Sequence, residues 1–178
     1  MNFIELPSPN FDQRRAPISM IVLHYTGMES AQAALDRLAD PAAKVSAHYV
    51  VAEDGQIVRM VDEANRAWHA GRSEWRGIMD VNSASIGIEI VNPGHEFGYR
   101  PFPEPQMAAV EALVSDIAHR YQISTCMVVG HSDIAPARKQ DPGELFDWQA
   151  LAAAGIGPWP RPFASPGRDI GPGDAFIK

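Results

Sequence analysis

The chain has 178 residues, of which 46% are hydrophobic and 21% are charged, and this composition is typical of one globular domain with a full hydrophobic core. The formal net charge of −7 argues against a nucleic-acid or anionic-membrane partner, because binding phosphates requires clustered lysines and arginines. The single cysteine, Cys126, excludes an internal disulfide. With neither a signal-peptide pattern nor a long apolar stretch, the sequence predicts a cytoplasmic protein, or a periplasmic one if a leader has been removed.

The predicted elements alternate between strands and helices, which indicates a single α/β domain with a mixed central β-sheet flanked by helices. Residues 1–17 are polar and contain three prolines, so we expect an irregular arm there. Apolar runs, helical spacing and turn residues predict, in chain order, strand 18–23, helix 30–39, hairpin strands 46–52 and 56–61, strand 85–91, helix 107–121, strand 126–130 and helix 147–154.

Two of the predicted strands end at a histidine. The apolar run 18–23 is followed directly by His24, and the run 126–130 is followed by His131. If these strands are parallel in one sheet, their carboxyl ends meet at the same edge, where α/β sheets bind ligands. We therefore expect the two imidazoles to lie close enough to share a metal ion.

The loop 130–143, GHSDIAPARKQDPG, has the composition of a functional site rather than of a core. Pro136 and Pro142 exclude a regular helix or a central strand across it. In extended backbone, residues two apart point the same way, so Lys139 and Asp141 should project to one side. The loop therefore offers a carboxylate and an ammonium beside the histidine that opens it.

Catalytic zinc sites use three protein ligands chosen from His, Asp, Glu and Cys, and the metal lowers the pKa of a bound water. His24, His131 and Asp141 would supply such a set. The alternative is that they are ordinary strand-end and turn residues, and neither HExxH nor CxxC occurs in the sequence to decide between the two interpretations.

Glu89 is the one charged residue inside the apolar strand SIGIEIV at 85–91. Burying a carboxylate is costly unless it is paired or functional, and burial would raise its pKa, which suits a general base. The alternative is a glutamate on a solvated face of the strand, although its neighbours on both sides are apolar.

Lys139 could stabilise an oxyanion that develops on a polarised carbonyl. The alternative is a surface lysine that pairs with Asp141 or Glu144. His69 lies in a predicted loop beside Trp68, where both could line a substrate cleft, although a buried Trp is an equally ordinary outcome.

Five ordered motifs resemble the N-acetylmuramoyl-L-alanine amidases of the AmpD/AmiD type. The Pro-x-Arg-Lys-x-Asp-Pro-Gly element is especially distinctive, and the match spans about residues 5 to 155. The motifs are IVLHYT at 21–26, SAHYVV at 46–51, RAWHAG at 66–71, SIGIEIVN at 85–92 and GHSDIAPARKQDPG at 130–143.

The resemblance implies a zinc ion bound by His24, His131 and Asp141, with Glu89 and Lys139 as the catalytic pair. It also implies the mixed-sheet fold shared with peptidoglycan recognition proteins. The expected reaction is hydrolysis of the amide between the lactyl group of N-acetylmuramic acid and L-alanine, with muropeptides, including 1,6-anhydro forms, as partners. The alternatives are a non-catalytic peptidoglycan-binding module of the same fold and a zinc peptidase that cuts within the stem peptide.

The stem peptide carries carboxylates, so the cleft should present fixed cations to it. Lys44 matches the position of an arginine that contacts such a carboxylate in the AmpD branch, and Arg72 directly follows the RAWHAG motif. We therefore expect Lys44, Arg72, His69 and Trp68 to bind substrate, although a lone Lys or Arg is commonly a solvated surface charge. Residues 1–155 should form the zinc amidase catalytic domain and residues 156–178 a Pro/Gly-rich tail.

Overall fold

The computed structural model of the chain describes residues 1–157. The strands are β1 (Phe3–Glu5), β2 (Phe11–Gln13), β3 (Met20–Tyr25), β4 (Tyr49–Val51), β5 (Ile57–Arg59), β6 (Asn65–Ala67), β7 (Ser85–Ile90) and β8 (Val128–Gly130). The helices are α1 (Ala31–Ala39), α2 (Val81–Ala84), α3 (Gly94–Phe97), α4 (Glu104–Tyr121), α5 (His131–Ile134) and α6 (Trp148–Ala153).

Six strands form one mixed sheet in the order β1-β5-β4-β7-β3-β8, and β2 pairs with β6 in a separate ribbon. The centre of the main sheet is parallel, because β3 pairs in parallel with both β7 and β8, and β4 pairs in parallel with β7. The predicted hairpin is confirmed by the antiparallel pairing of β4 with β5. The predicted mixed α/β fold is therefore confirmed.

The hydrophobic core lies on both faces of this sheet, because successive side chains of a strand point to opposite faces. Ile21 and Leu23 of β3 pack on one face beneath the long helix α4, whereas Met20 and Val22 pack on the other face against α2 and α5. Helix α1 covers the neighbouring part of that second face, where Leu38 contacts β4 and β5. The central strands are therefore buried on both sides, as their continuous apolar sequences require.

The amino-terminal arm is a correction to the sequence analysis, which predicted irregular structure over residues 1–17. Phe3–Glu5 extends the main sheet beside β5, and Phe11–Gln13 pairs antiparallel with β6. These strands are three residues long, too short to show a period in the sequence. They form because existing strand edges supply backbone partners, which local sequence does not reveal.

The predicted Pro/Gly-rich tail, residues 156–178, lies outside the described residues except for Ile156 and Gly157. Ile156 is buried in the same core cluster as α4. Across residues 1–157, none of the helices combines the length and the apolar composition needed to cross a lipid bilayer.

Candidate metal centre and its cleft

The topology brings His24 and His131 together at one edge of the sheet. Strands β3 and β8 are parallel neighbours with Leu23 opposite Gly130, so the histidine that follows each of these residues emerges at the same level. The two Nδ1 atoms lie 2.9 Å apart, and Asp141 Oδ2 lies 3.0 Å from each of them. All three side chains are buried. The three predicted ligands therefore form one compact cluster.

The donor set of this cluster fits a metal cation better than a plain hydrogen-bond network. His131 Nε2 lies 3.0 Å from the carbonyl oxygen of Ala70 and donates to it, so a neutral His131 has a lone pair at Nδ1. That lone pair faces the carboxylate of Asp141 and a second imidazole nitrogen, that of His24. Lone pairs facing a carboxylate are repulsive unless a cation lies among them. Bonds of about 2.0 to 2.1 Å to a tetrahedral zinc would place ligand atoms a little over 3 Å apart, close to the observed spacing.

The protonation states of His24 and Asp141 are those that metal ligands require. Burial, reinforced by the neighbouring His131, lowers the pKa of His24 to about 4, so this imidazole is neutral at neutral pH. Burial alone would raise the pKa of Asp141, but its contacts with His131 and His24 outweigh burial and hold the pKa below its ordinary value. Asp141 is therefore an ionised carboxylate between two histidines.

Glu89 lies beside His24 on the adjacent strand, where the two residues are paired in the parallel register of β3 and β7. Its Oε2 atom is buried and has no hydrogen-bond partner among the described residues. Burial raises the pKa of Glu89 well above its ordinary value, the negative charge of Asp141 raises it further, and Lys139 opposes the shift. Glu89 is thus a carboxyl group poised to take up a proton next to the candidate metal centre.

Lys139 and Asp141 both line the same cleft as Glu89. Within residues 1–157, Lys139 takes part in no ion pair, and Glu144, the partner considered for it from the sequence, lies 3.1 Å from His95 instead. The cleft has a volume of about 370 Å³ and opens to solvent. The arrangement can hold a metal ion and present it, a carboxyl group and an ammonium to one bound molecule.

The profile of a protein family described as N-acetylmuramoyl-L-alanine amidase matches residues 14–144, which is more than half of the chain. This range contains the candidate metal ligands His24, His131 and Asp141, together with Glu89 and Lys139. The chain belongs to the N-acetylmuramoyl-L-alanine amidase family.

Relatives within this family are similar over most of the chain. The N-acetylmuramoyl-L-alanine amidase AmiD of Escherichia coli K12 is 43% identical over 155 residues, covering 80% of this chain and 55% of AmiD. The 1,6-anhydro-N-acetylmuramyl-L-alanine amidase AmpD of Haemophilus influenzae is 34% identical over 165 residues, covering 82% of this chain and 88% of AmpD. The chain thus spans about half the length of AmiD but most of AmpD.

A solved structure of AmiD from Escherichia coli has the same fold with a TM-score of 0.74 at 41% sequence identity, covering 84% of this chain and 63% of that chain. It is a complex of AmiD with the substrate anhydro-N-acetylmuramic acid-L-Ala-D-γ-Glu-L-Lys. The predicted membership of the AmpD/AmiD type is therefore confirmed.

Of the four residues that the sequence suggested for substrate binding, two line the cleft and two are not among its described lining residues. Trp68 and His69 both line the cleft. Neither Lys44 nor Arg72 is among the described residues that line the cleft, although Lys44 directly precedes Val45, which does line it. The side chain of His69 also contacts His24 directly, with 3.0 Å between His69 Nδ1 and His24 Nε2.

Two cleft cations were missed by sequence reasoning. Arg138 lines the cleft, but its guanidinium donates to the carbonyls of Ala70 and Arg72 and so holds the end of the RAWHAG motif in place. Arg37 of α1 also lines the cleft and forms no ion pair with any carboxylate that the structure describes. The sequence held a weak signal for Arg37, a basic residue in the last turn of α1, but that position is equally usual for stabilising a helix end.

Proposed function

We propose that this protein is a zinc-dependent amidase that hydrolyses the amide between the lactyl group of N-acetylmuramic acid and L-alanine of the stem peptide. The observation that carries the proposal is the convergence of His24, His131 and Asp141 with Glu89 in one cleft. Family membership supports it, because AmiD and AmpD are named as amidases of this bond. A binding module would require neither the complete ligand cluster nor a carboxyl group beside it whose buried Oε2 atom lacks a hydrogen-bond partner within residues 1–157.

Zinc is the metal that we propose, because two imidazoles and one carboxylate form a mixed nitrogen and oxygen set typical of catalytic zinc. When bound, zinc acts as a Lewis acid toward a carbonyl oxygen and toward water. His24, His131 and Asp141 would hold it. Glu89 and Lys139 remain free of the cluster and available to the substrate.

Glu89 is proposed to accept the proton of the attacking water and to deliver it to the leaving nitrogen of L-alanine. A carboxyl group with a raised pKa suits this exchange, because the best acid–base catalyst has a pKa near the working pH. Its Oε2 atom has no competing hydrogen bond within residues 1–157, so the proton can be transferred without breaking one.

Lys139 is proposed to stabilise the negative charge that develops on the carbonyl oxygen during attack. An ammonium that lines the cleft is effective there, because the charge it stabilises is present only in the transition state. The absence of an ion pair on Lys139 in the described part of the chain leaves it available for this role.

The proposed substrates are muropeptides, including 1,6-anhydro forms. The AmiD complex contains an anhydro-muramoyl peptide, and AmpD is named for the 1,6-anhydro group. A cytoplasmic location remains a prediction from the sequence, and fractionation of cells that express the native gene would test it.

Digestion of muropeptides followed by mass spectrometry tests the proposed bond. We expect release of the intact stem peptide with a free L-alanine amine. Shortened peptides still attached to the sugar would identify a peptidase instead. Binding without any product, unchanged by treatment with chelator and zinc, would identify a binding module.

A further inference from the structure

A chain of hydrogen bonds runs from the strand β7 to His24, one of the three candidate metal ligands. Ser85 Oγ lies 2.6 Å from the carbonyl oxygen of Val81 and 3.2 Å from His69 Nε2. The other nitrogen of that ring, His69 Nδ1, lies 3.0 Å from His24 Nε2. His24 Nδ1 is the atom that points into the cluster.

The protons along this chain can be assigned from one fixed point. The carbonyl of Val81 can only accept, so the hydroxyl of Ser85 must donate its single proton there. Ser85 Oγ is then the acceptor for His69, whose proton must lie on Nε2. A neutral His69 in that tautomer has a lone pair at Nδ1 and accepts from His24 Nε2. A neutral His24 is thereby left with its lone pair at Nδ1, directed at the metal position.

The ring of His69 packs directly against the backbone of Gly87, where no larger residue would fit. A Cβ atom at Gly87 of β7 would lie 2.3 Å from His69 Cγ, so any larger residue would displace the ring. The side-chain oxygen of Asn82 accepts from the backbone amides of His69 and Ala70, at 3.1 and 2.8 Å. Asn82 thus fixes the segment that supplies a partner to each ligand histidine, His69 to His24 and the carbonyl of Ala70 to His131.

We infer that His69 and Ser85 are positioning residues that fix the tautomer and the orientation of His24 for metal binding. This inference rests on the proposed metal centre and assigns His69 a role different from substrate contact. Partners behind metal-ligating histidines commonly change metal affinity by about 10- to 100-fold when they are removed. The structural basis is that His69 in its other tautomer would donate from Nδ1 to His24 Nε2. The proton of a neutral His24 would then lie on Nδ1 and block the ligand position.

Zinc affinity, measured by competition with a chromophoric chelator and without substrate, tests the inference. We expect Ser85→Ala and His69→Phe to weaken zinc binding by about 10- to 100-fold, because each removes one acceptor from the chain. His69→Gln should bind more tightly than His69→Phe, since the amide oxygen can still accept from His24.

Two matched controls separate this effect from general damage. Ser83→Ala removes another fully buried hydroxyl close to Ser85, and its oxygen accepts from the backbone of Arg15 rather than from a histidine. His119→Phe removes an exposed histidine from α4. Both should bind zinc as the wild type does. If Ser85→Ala and His69→Phe bind zinc as tightly as the wild type and change only in KM, the inference is overturned. If the wild-type protein binds no zinc, the metal centre itself is rejected.

Proton positions in the zinc-loaded wild type provide a second measurement that does not depend on how well a variant folds. Long-range ¹H–¹⁵N spectra distinguish Nδ1–H from Nε2–H imidazole rings. We expect His69 to be the Nε2–H tautomer, with its Nδ1 accepting from His24 Nε2. Detection of the Nδ1–H tautomer at His69 would overturn the inference.

Discussion

Glu89 and Asp141 are two carboxyl groups of the same cleft whose pKa values are shifted in opposite directions. Asp141 lies between two imidazoles, which keep its pKa low, whereas Glu89 faces the charge of Asp141 without a hydrogen-bond partner for Oε2 among the described residues, and its pKa is raised. Titratable groups with opposed environments commonly have different roles in catalysis. The pair therefore divides into a metal ligand and an acid–base group.

Glu89→Gln should retain zinc and lose turnover by about 10²- to 10⁴-fold, because the amide keeps the size of the side chain but cannot accept the proton. Asp141→Asn should lose zinc and activity together. Elemental analysis of the purified variants, combined with muropeptide digestion, checks both results. If Glu89→Gln protein lacks zinc, Glu89 is a ligand or orients one, and this division of roles is wrong.

Substrate carboxylates should be bound by Arg37, which lines the cleft, or by Lys44, which lies next to its wall. Arg37→Ala should lower kcat/KM for muropeptides with a full stem by about tenfold, equal to roughly 1.4 kcal/mol for one charge-assisted hydrogen bond. Lys44→Ala should have a comparable effect if Lys44 reaches the bound peptide. Zinc content should not change in either variant.

Arg15→Ala, which removes an exposed arginine outside the cleft lining, is the matched control for both substitutions. Arg37→Lys should recover part of the loss, because it keeps the charge but not the bidentate geometry. Equal kinetics of wild type and Arg37→Ala on substrates with the full stem would remove Arg37 from the substrate site, and the same result for Lys44→Ala would remove Lys44.

At the scale of secondary-structure elements, Glu63 connects the sheet to the end of helix α4. Its carboxylate accepts from the hydroxyls of Tyr49 and Tyr121, each at 2.7 Å, and from the guanidinium of Arg120. Its backbone carbonyl accepts from Arg14 in the amino-terminal arm, at 2.7 Å. One residue thus joins β4, α4 and the arm that the sequence did not predict to be ordered.

The stability contributed by Glu63 should depend on pH. Burial alone would raise its pKa, but the hydrogen bonds from Arg120, Tyr121 and Tyr49 outweigh burial and lower the pKa to about 2. A carboxyl group whose pKa is lowered by folding stabilises the protein above its unfolded pKa, near 4.5, and this contribution is lost as the pH falls toward 2. Because Arg120 is 39% exposed, solvent screening reduces the contribution to about 1–2 kcal/mol.

Glu63→Gln should therefore lower the free energy of unfolding by about 1–2 kcal/mol at pH 7, and the difference from wild type should shrink as the pH falls from about 4.5 to about 2. Urea denaturation across this pH range measures it. Glu53→Gln, which removes the exposed ion pair with Arg100, is the control and should change stability little. A difference between Glu63→Gln and wild type that is constant with pH would contradict the prediction.

For the whole molecule, metal binding should couple to stability, because His24 lies more than 100 residues from His131 and Asp141 in the chain. At a free zinc concentration about 100 times its Kd, binding contributes about 2.7 kcal/mol, which corresponds to a rise in Tm of roughly 5–10 °C for a domain of this size. Scanning calorimetry with zinc and with chelator checks this. Asp141→Asn should show no response to either reagent, whereas an equal response in that variant would place the stabilising metal elsewhere.

The sequence by itself determined the class of fold and the core of the candidate site. Apolar runs locate the central strands, and a residue that directly follows a strand of a parallel pair emerges at the carboxyl edge of the sheet. On the assumption that their strands are parallel, His24 and His131 could therefore be placed together without coordinates. Glu89 was conspicuous because a lone charge within a buried strand is costly. These inferences depend on local spacing and on elementary sheet geometry.

The tertiary structure alone decided which other side chains reach that site. Arg37 rather than Arg72 lines the cleft because the direction in which a side chain leaves its element depends on how that element packs. Gln140 lines the cleft together with Lys139 and Asp141, although alternation in extended backbone would place it on the opposite side, because the chain turns there. The contact of His69 with His24 depends on the close approach of its ring to Gly87, and such long-range packing leaves no periodic signal in the sequence.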